Sequence, residues 1–315
     1  MKWFKFIFLF LLLSSCAKES IKLETQELNI ATDNDIYDIV FLDENIAYAC
    51  GGELWESGFI AKSEDGGTSW NIVYEHFNII FELEFLNENK GIAGAFWGGI
   101  LKTEDGGNSW DYEEYPDMSA CNSVHFLNDS SVLICTGSSY HFGGLCQYNF
   151  NSSSLSFSDY LQSFEASYFF DEEEGVLCSY GVIYKTYDGG NSLVATNGQG
   201  DFFKAVDFNQ QGEGLAIGYE GKILSSKNKG SNWDKSANKS RFFTTKGNLE
   251  GLSVYNKNAF VCGENGSLFY TSNFFDSWLE VEHNYEHANL RTVYIKNESE
   301  AIVAGSDGLM FKIFF

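Results

Sequence analysis

Three stretches place a hydroxyl, a carboxylate and a second hydroxyl at one fixed spacing. They are Ser63, Asp65 and Ser69 in SEDGGTSW, Thr103, Asp105 and Ser109 in TEDGGNSW, and Thr186, Asp188 and Ser192 in TYDGGNSL. A carboxylate flanked this way can serve catalysis, hold a metal or lock a turn. Its companions decide. Gly67, Gly107 and Gly190 permit a positive φ, and a short Asp accepts hydrogen bonds from backbone N–H groups just ahead of it. Two later copies, SKNKGSNW (Ser226, Asn228, Gly230, Trp233) and TSNFFDSW (Thr271, Asn273, Trp278), carry Asn in place of the acid. Asn keeps the acceptor oxygen and loses the charge, which a turn tolerates and a catalytic carboxylate does not. The expected role is structural, with Trp70, Trp110, Trp233 and Trp278 packing their apolar faces between repeats.

Other candidate chemistry is sparse. The five histidines (76, 125, 141, 283 and 287) show no metal spacing, and no G-x-S-x-G elbow occurs. No metal and no cofactor is expected. Cys50, Cys135, Cys178 and Cys262 each end a small apolar segment just before a glycine, and Ala304 takes the matching place in IVAG. A position that accepts Cys or Ala reads as a tight buried packing site. Disulfides and metal are the lesser alternatives, since positions on separate repeats would exceed the roughly 7 Å that a disulfide spans between Cα atoms.

The octapeptides also measure the chain. A glycine stands five residues before the first hydroxyl of each box: Gly58, Gly98, Gly181, Gly221 and Gly266. Gly144 adds a degenerate box at 149–156, and Gly308 a seventh repeat that ends before its box. Each repeat of about 40 residues reads as four strands: an alternating segment such as FELEF (81–85), a small-residue strand, a tight turn, then strands such as GILKT (99–103) and WNIVYEHF (70–77). Period-2 alternation, Gly-rich turns and a single proline favour an all-β fold, and this period suits a propeller. The seventh repeat lacks a fourth strand, and residues 21–28 (IKLETQEL) supply a spare one. The expectation is a seven-bladed β-propeller of four-stranded antiparallel blades over residues 21–315, closed by that N-terminal strand.

The box S/T-x-D-x-G-x-T/S-W resembles the Asp-box, or BNR repeat. The whole repeat is similar to the photosystem II stability/assembly factor-like propellers over residues 21–315. The resemblance implies a box between the third and fourth strands, away from the usual binding face, and a non-catalytic protein-binding role. This chain shows no equivalent of that family's basic patch. Sialidases with such boxes clamp a carboxylate with three arginines; only Arg241 and Arg291 exist here, so that activity is rejected. A glycosidase needs just two carboxylates, and among 44 acidic residues no pair stands out. A glycoside hydrolase using an unidentified pair is the alternative reading. On a propeller of this kind the hairpins between second and third strands form the usual binding face. Here they carry Trp55, Trp97, Tyr140, His141, Phe142, Tyr180 and Tyr219, an arc of aromatics suited to a protein or a sugar.

The first 16 residues address the compartment. Lys2 and Lys5 precede an apolar run too short for a final bilayer span, and Leu13-Ser14-Ser15-Cys16 resembles a bacterial lipobox. The resemblance implies a signal peptide at 1–15, lipid on Cys16, a tether at 16–20 and, with Ala17 next, the outer membrane of a diderm cell. The formal charge of −24 argues against nucleic acid as a partner. The reading is a monomeric, non-catalytic envelope lipoprotein that binds another envelope protein, an assembly or a polysaccharide.

Overall fold

A computed structural model describes residues 19–115, 120–139, 142–160, 162–235 and 247–315. The expected signal peptide, Cys16, Tyr140, His141 and Arg241 lie outside them. The chain is an all-β propeller. Its inner strands are Ile36–Phe41, Ile80–Phe85, Cys121–Phe126, Phe164–Phe169, the second half of Val194–Phe208, Leu249–Tyr255 and Leu290–Asn297. Each packs on the next, and Leu290–Asn297 packs back on Ile36–Phe41 to close the circuit. No helix among the described residues is long and apolar enough to cross a membrane.

The expectation of seven separate four-stranded blades is not met: among the described residues the strands assort into six sheets. Repeats four and five share one five-stranded sheet, because nothing interrupts Val194–Phe208 between them. Its first part pairs with Glu174–Tyr187, from Lys185↔Val194 to Tyr180↔Phe202, and its second part pairs with Gly214–Gly218. Gly198 and Gly200 within it make no turn. A Cβ there would meet the Trp233 ring at 2.8 Å and the Phe203 ring at 2.7 Å, so these glycines permit close packing in an extended strand.

The N-terminal segment does more than complete the last sheet. Glu24–Glu27 pairs antiparallel with Met310–Phe314 as its outer strand, from Glu24↔Phe314 to Glu27↔Phe311. Ser20–Lys22 runs parallel to Leu279–Glu282 in the preceding sheet, and Asn29–Ile30 parallel to Ser69–His76 in the first. One segment therefore stitches three sheets and covers edges that would otherwise be open.

The core lies between repeats. Leu28, Ile36, Ala49 and Trp70 pack with Ile302, Ala304 and Met310 where the chain closes on itself, and Tyr48, Cys50 and Ile60 pack with Leu83, Ala93 and Trp110 at the next junction. All six cysteines among the described residues are buried free thiols. Burial pushes Cys121 up to about 12, so these thiols behave as small hydrophobes.

Candidate functional site

The ladder between inner and second strands breaks at the same step in every repeat. A residue is skipped between Ile36 and Asp38, Ile80 and Glu82, Cys121 and Ser123, Phe164 and Ala166, Phe203 and Ala205, Leu249 and Gly251, and Leu290 and Thr292. A bulge leaves its extra residue unpaired and re-aims it. The residues so placed are Tyr37, Phe81, Asn122, Glu165, Lys204, Glu250 and Arg291, all half-buried. The glycine after each Cys/Ala site belongs to the same geometry. A Cβ on Gly51 would stand 1.9 Å from the carbonyl of Asp35, and one on Gly263 2.1 Å from that of Asn248. Without it, those carbonyls accept the N–H of Gly52 at 2.9 Å and of Glu264 at 3.0 Å.

The bulged residues ring the mouth of the central channel, at the end facing the hairpins. Arg291 lies 4.7 Å over the Tyr37 ring, and Tyr37 meets Phe81 edge-on at 5.6 Å. Further round, Asn122 Nδ2 donates to the Phe164 carbonyl at 3.0 Å, and Lys204 pairs with Glu165 at 2.7 Å. Arg291 also pairs with Asp35 at 2.5 Å. One arc is aromatic and the other alternates in charge.

The aromatic arc extends outward to the hairpin tips. Phe81 lies 6.4 Å from Phe96; Trp55 meets Phe96 and Trp97 at 5.1 Å each. Trp55 and Trp97 are 59% and 45% exposed and hold φ of 64° and 63°. The later tips have Glu220, Asn265 and Asp307 with φ of 53–57°. Asn and Asp enter this left-handed region readily, whereas a bulky residue there costs on the order of 1–2 kcal/mol. Trp55 and Trp97 are thus exposed, in mutual contact and both in a backbone conformation that disfavours bulky residues. A second cluster joins Tyr180 and Tyr219 through Phe202, at 5.6 and 5.3 Å.

The structure thus brings Trp55 together with Trp97, and Tyr180 with Tyr219. Phe142 is exposed but joins neither cluster. Sequence reasoning missed Tyr37, Phe81, Phe96 and Phe202, together with the charged half of the ring. Aligning the inner strands on their first apolar residue would have brought the seven bulged positions into one column.

Below the mouth, acids line the channel in fixed roles. Inner strands of adjacent sheets share no backbone ladder, so their N–H groups need other acceptors. Asp38 Oδ2 takes the N–H of Leu83 at 3.1 Å, Glu82 Oε2 that of Val124 at 3.1 Å, Glu84 Oε2 that of Phe126 at 2.6 Å and Asp207 Oδ2 that of Val254 at 2.7 Å. Each bond crosses to the next inner strand. Burial raises Asp38 to about 6 and Asp207 to about 7; it also raises Glu82, which has Asp38 as a like-charged neighbour.

The octapeptides sit at the other ends of the sheets. In the first, Ser63 Oγ accepts the Gly67 N–H and donates to Asp65 Oδ1, both at 2.9 Å; that oxygen also accepts the Thr68 and Ser69 N–H groups at 3.0 and 2.9 Å. The Ser69 hydroxyl beside Asp65 holds its carboxyl down at about 2. Asn228 Oδ1 keeps the equivalent bond from Asn232 N–H at 2.9 Å, and Asn273 Oδ1 that from Ser277 N–H at 3.1 Å. His283 uses both ring nitrogens on backbone, Nε2 toward the Gly266 carbonyl and Nδ1 accepting from Tyr285 N–H.

No family model and no curated protein matches the chain. Solved structures do. YCF48 bound to D1 peptide is similar with a TM-score of 0.70 at 16% identity, over 93% of this chain and 95% of that one. YCF48 from Cyanidioschyzon merolae gives 0.69 at 13%, over 92% and 98%. The WD40 beta propeller domain of Doa1 gives 0.67 at 14%, over 92% and 97%. At these identities the likeness shows the fold alone.

Proposed function

We propose that this chain is a non-catalytic binding scaffold whose hairpin face holds an extended segment of another protein. The observation that carries the reading is the Trp55–Trp97 pair, exposed, mutually packed and held in the left-handed region. Large, rigid aromatics are the usual anchors of binding energy. One ring of similar fold is a YCF48 bound to a D1 peptide, which supports a peptide as the kind of ligand while leaving this chain's client open. The acids with raised protonation support a role without turnover. Asp38, Glu82 and Asp207 already hold backbone N–H groups, so a glycoside hydrolase is the weaker alternative. A glycan stacked on the tryptophans is the other candidate ligand.

The octapeptide serves this reading as a structural Asp-box, and Cys16 as a lipidated anchor in the cell envelope. A partner in the same envelope follows. The test is a pulldown from solubilised envelope with the native chain and a Trp55→Ala/Trp97→Ala double variant as baits. The double variant should lose the partners that the native chain recovers; equal recovery means the face is misassigned. Cys16→Ser should release the protein from membranes, and persistent tight attachment would refute the anchor.

A further inference from the structure

This inference rests on the peptide-binding reading and concerns the chemistry of the bound segment. At the mouth, Lys204 is held by Glu165 and Arg291 by Asp35. Glu250 stands in the same ring within the field of both cations, yet among the described residues it makes neither a hydrogen bond nor an ion pair. Burial raises its pKa against the pull of Lys204 and Arg291, so its carboxylate is a half-dehydrated acceptor that lacks a donor. The hairpin tips add charge of the same sign. Glu53, Glu56, Glu220, Glu264 and Asp307 stand there, and no Lys or Arg does among the described tip residues. The whole chain carries −24, which speeds encounter with a cation and disfavours an acidic partner.

We propose that the bound segment is basic: an extended peptide that sets a Lys or Arg side chain against Glu250 while apolar side chains lie on Trp55 and Trp97. The tryptophan faces suit the same partner, because an indole ring attracts a cation as well as an apolar group. A charge-assisted bond to Glu250 fixes the segment in register over the channel mouth.

The test uses the full chain in detergent and two short fluorescein-labelled probes, one alternating Lys with Phe and the other Glu with Phe, followed by anisotropy. The Lys/Phe probe should bind, more weakly as salt rises, and the Glu/Phe probe should not. Glu250→Gln should weaken Lys/Phe binding about tenfold, as should a Trp55→Asn/Trp97→Asn double variant. Glu104→Gln, on the opposite face, should change nothing, and unchanged melting temperatures confirm that the variants fold. Equal or tighter binding of the Glu/Phe probe overturns the basic-partner inference. So does Glu250→Gln without effect where the tryptophan variant loses binding, and in both cases the peptide-binding face survives. Binding that ignores the tryptophans overturns that face and the inference with it, and failure of both probes to bind overturns the inference.

Discussion

Asp207 offers a direct test of the carboxylates that join neighbouring inner strands. Its Oδ1 accepts the N–H of Phe208 at 2.8 Å and its Oδ2 that of Val254 at 2.7 Å. Those bonds favour the ionised form, but burial outweighs them and raises the carboxyl to about 7. The folded chain therefore holds this proton more tightly than the unfolded chain, where an Asp titrates near 3.9 or so. Its contribution to stability is fully present below about pH 4 and is lost as the pH climbs through about 7. Three pH units at about 1.36 kcal/mol each set a ceiling of about 4 kcal/mol. Asp207 is only half-buried, and partial exposure screens its charge, so about 2 kcal/mol is the expected share. Asp207→Ala removes both the proton and the acceptor. At pH 5 it should cost about 1–3 kcal/mol for the orphaned Val254 N–H, and its loss of stability between pH 5 and 8 should be smaller than the native protein's by about 1.3 kcal/mol, because one of the three pH units lies below pH 5. Asp38 and Glu82 are present in both proteins, so subtracting the profiles isolates Asp207. Urea denaturation followed by tryptophan fluorescence at fixed ionic strength reads it. Parallel profiles would refute the reasoning, as would a native protein that gains stability over the variant with rising pH.

Trp55→Asn/Trp97→Asn relieves two unfavourable φ values and loses three ring contacts, Trp55–Phe96, Trp55–Trp97 and Phe96–Trp97, so its melting temperature should stay close to that of the native chain; a clear drop would mean that the tryptophans support the fold. In the first octapeptide, Asp65→Asn should melt near the native temperature and Asp65→Ala lower, since only Asn keeps the acceptor for the Thr68 and Ser69 N–H groups; the reverse order on a thermal scan would contradict the turn-locking role. Deleting residues 19–23 should be mild, whereas deleting 19–30 should uncover Met310–Phe314 and produce aggregation visible by light scattering; a soluble, native-like product would show that the ring closes without its strap.

The local chemistry of the fold was readable because each device lies within a few residues. The octapeptides and their tolerance of Asn follow from side-chain oxygens meeting nearby N–H groups. The closing strand, expected over 21–28 and observed at 24–27, was readable because the seventh repeat lacks a fourth strand of its own. A second turn device went unread: Asp43, Asn87, Asn128 and Asp171 each accept the N–H groups two and three residues on, at the turn after the inner strand. Its single polar residue lacks the glycines and tryptophan that made the other motif visible. The count of sheets failed at Val194–Phe208, where separate four-stranded repeats require a break and the strand runs on extended through Gly198 and Gly200. The candidate site was half visible. Trp55 and Trp97 drew notice as loop aromatics, but their φ values depend on the hairpin geometry. The ring from Tyr37 to Arg291 depends on a bulge, a backbone event with no fixed residue type.

The pairing of Glu24 with Phe314 joins residues almost the whole length of the chain apart. Contacts of such long sequence separation form late and slowly. During synthesis Glu24–Glu27 emerges long before its partner strand Met310–Phe314 is made. Until then the nascent protein carries two unpaired margins, one at each end of an unfinished ring, and such margins recruit other chains. A product that stops short of Met310–Phe314 leaves Glu24–Glu27 without its partner, so closure of the ring waits on that strand.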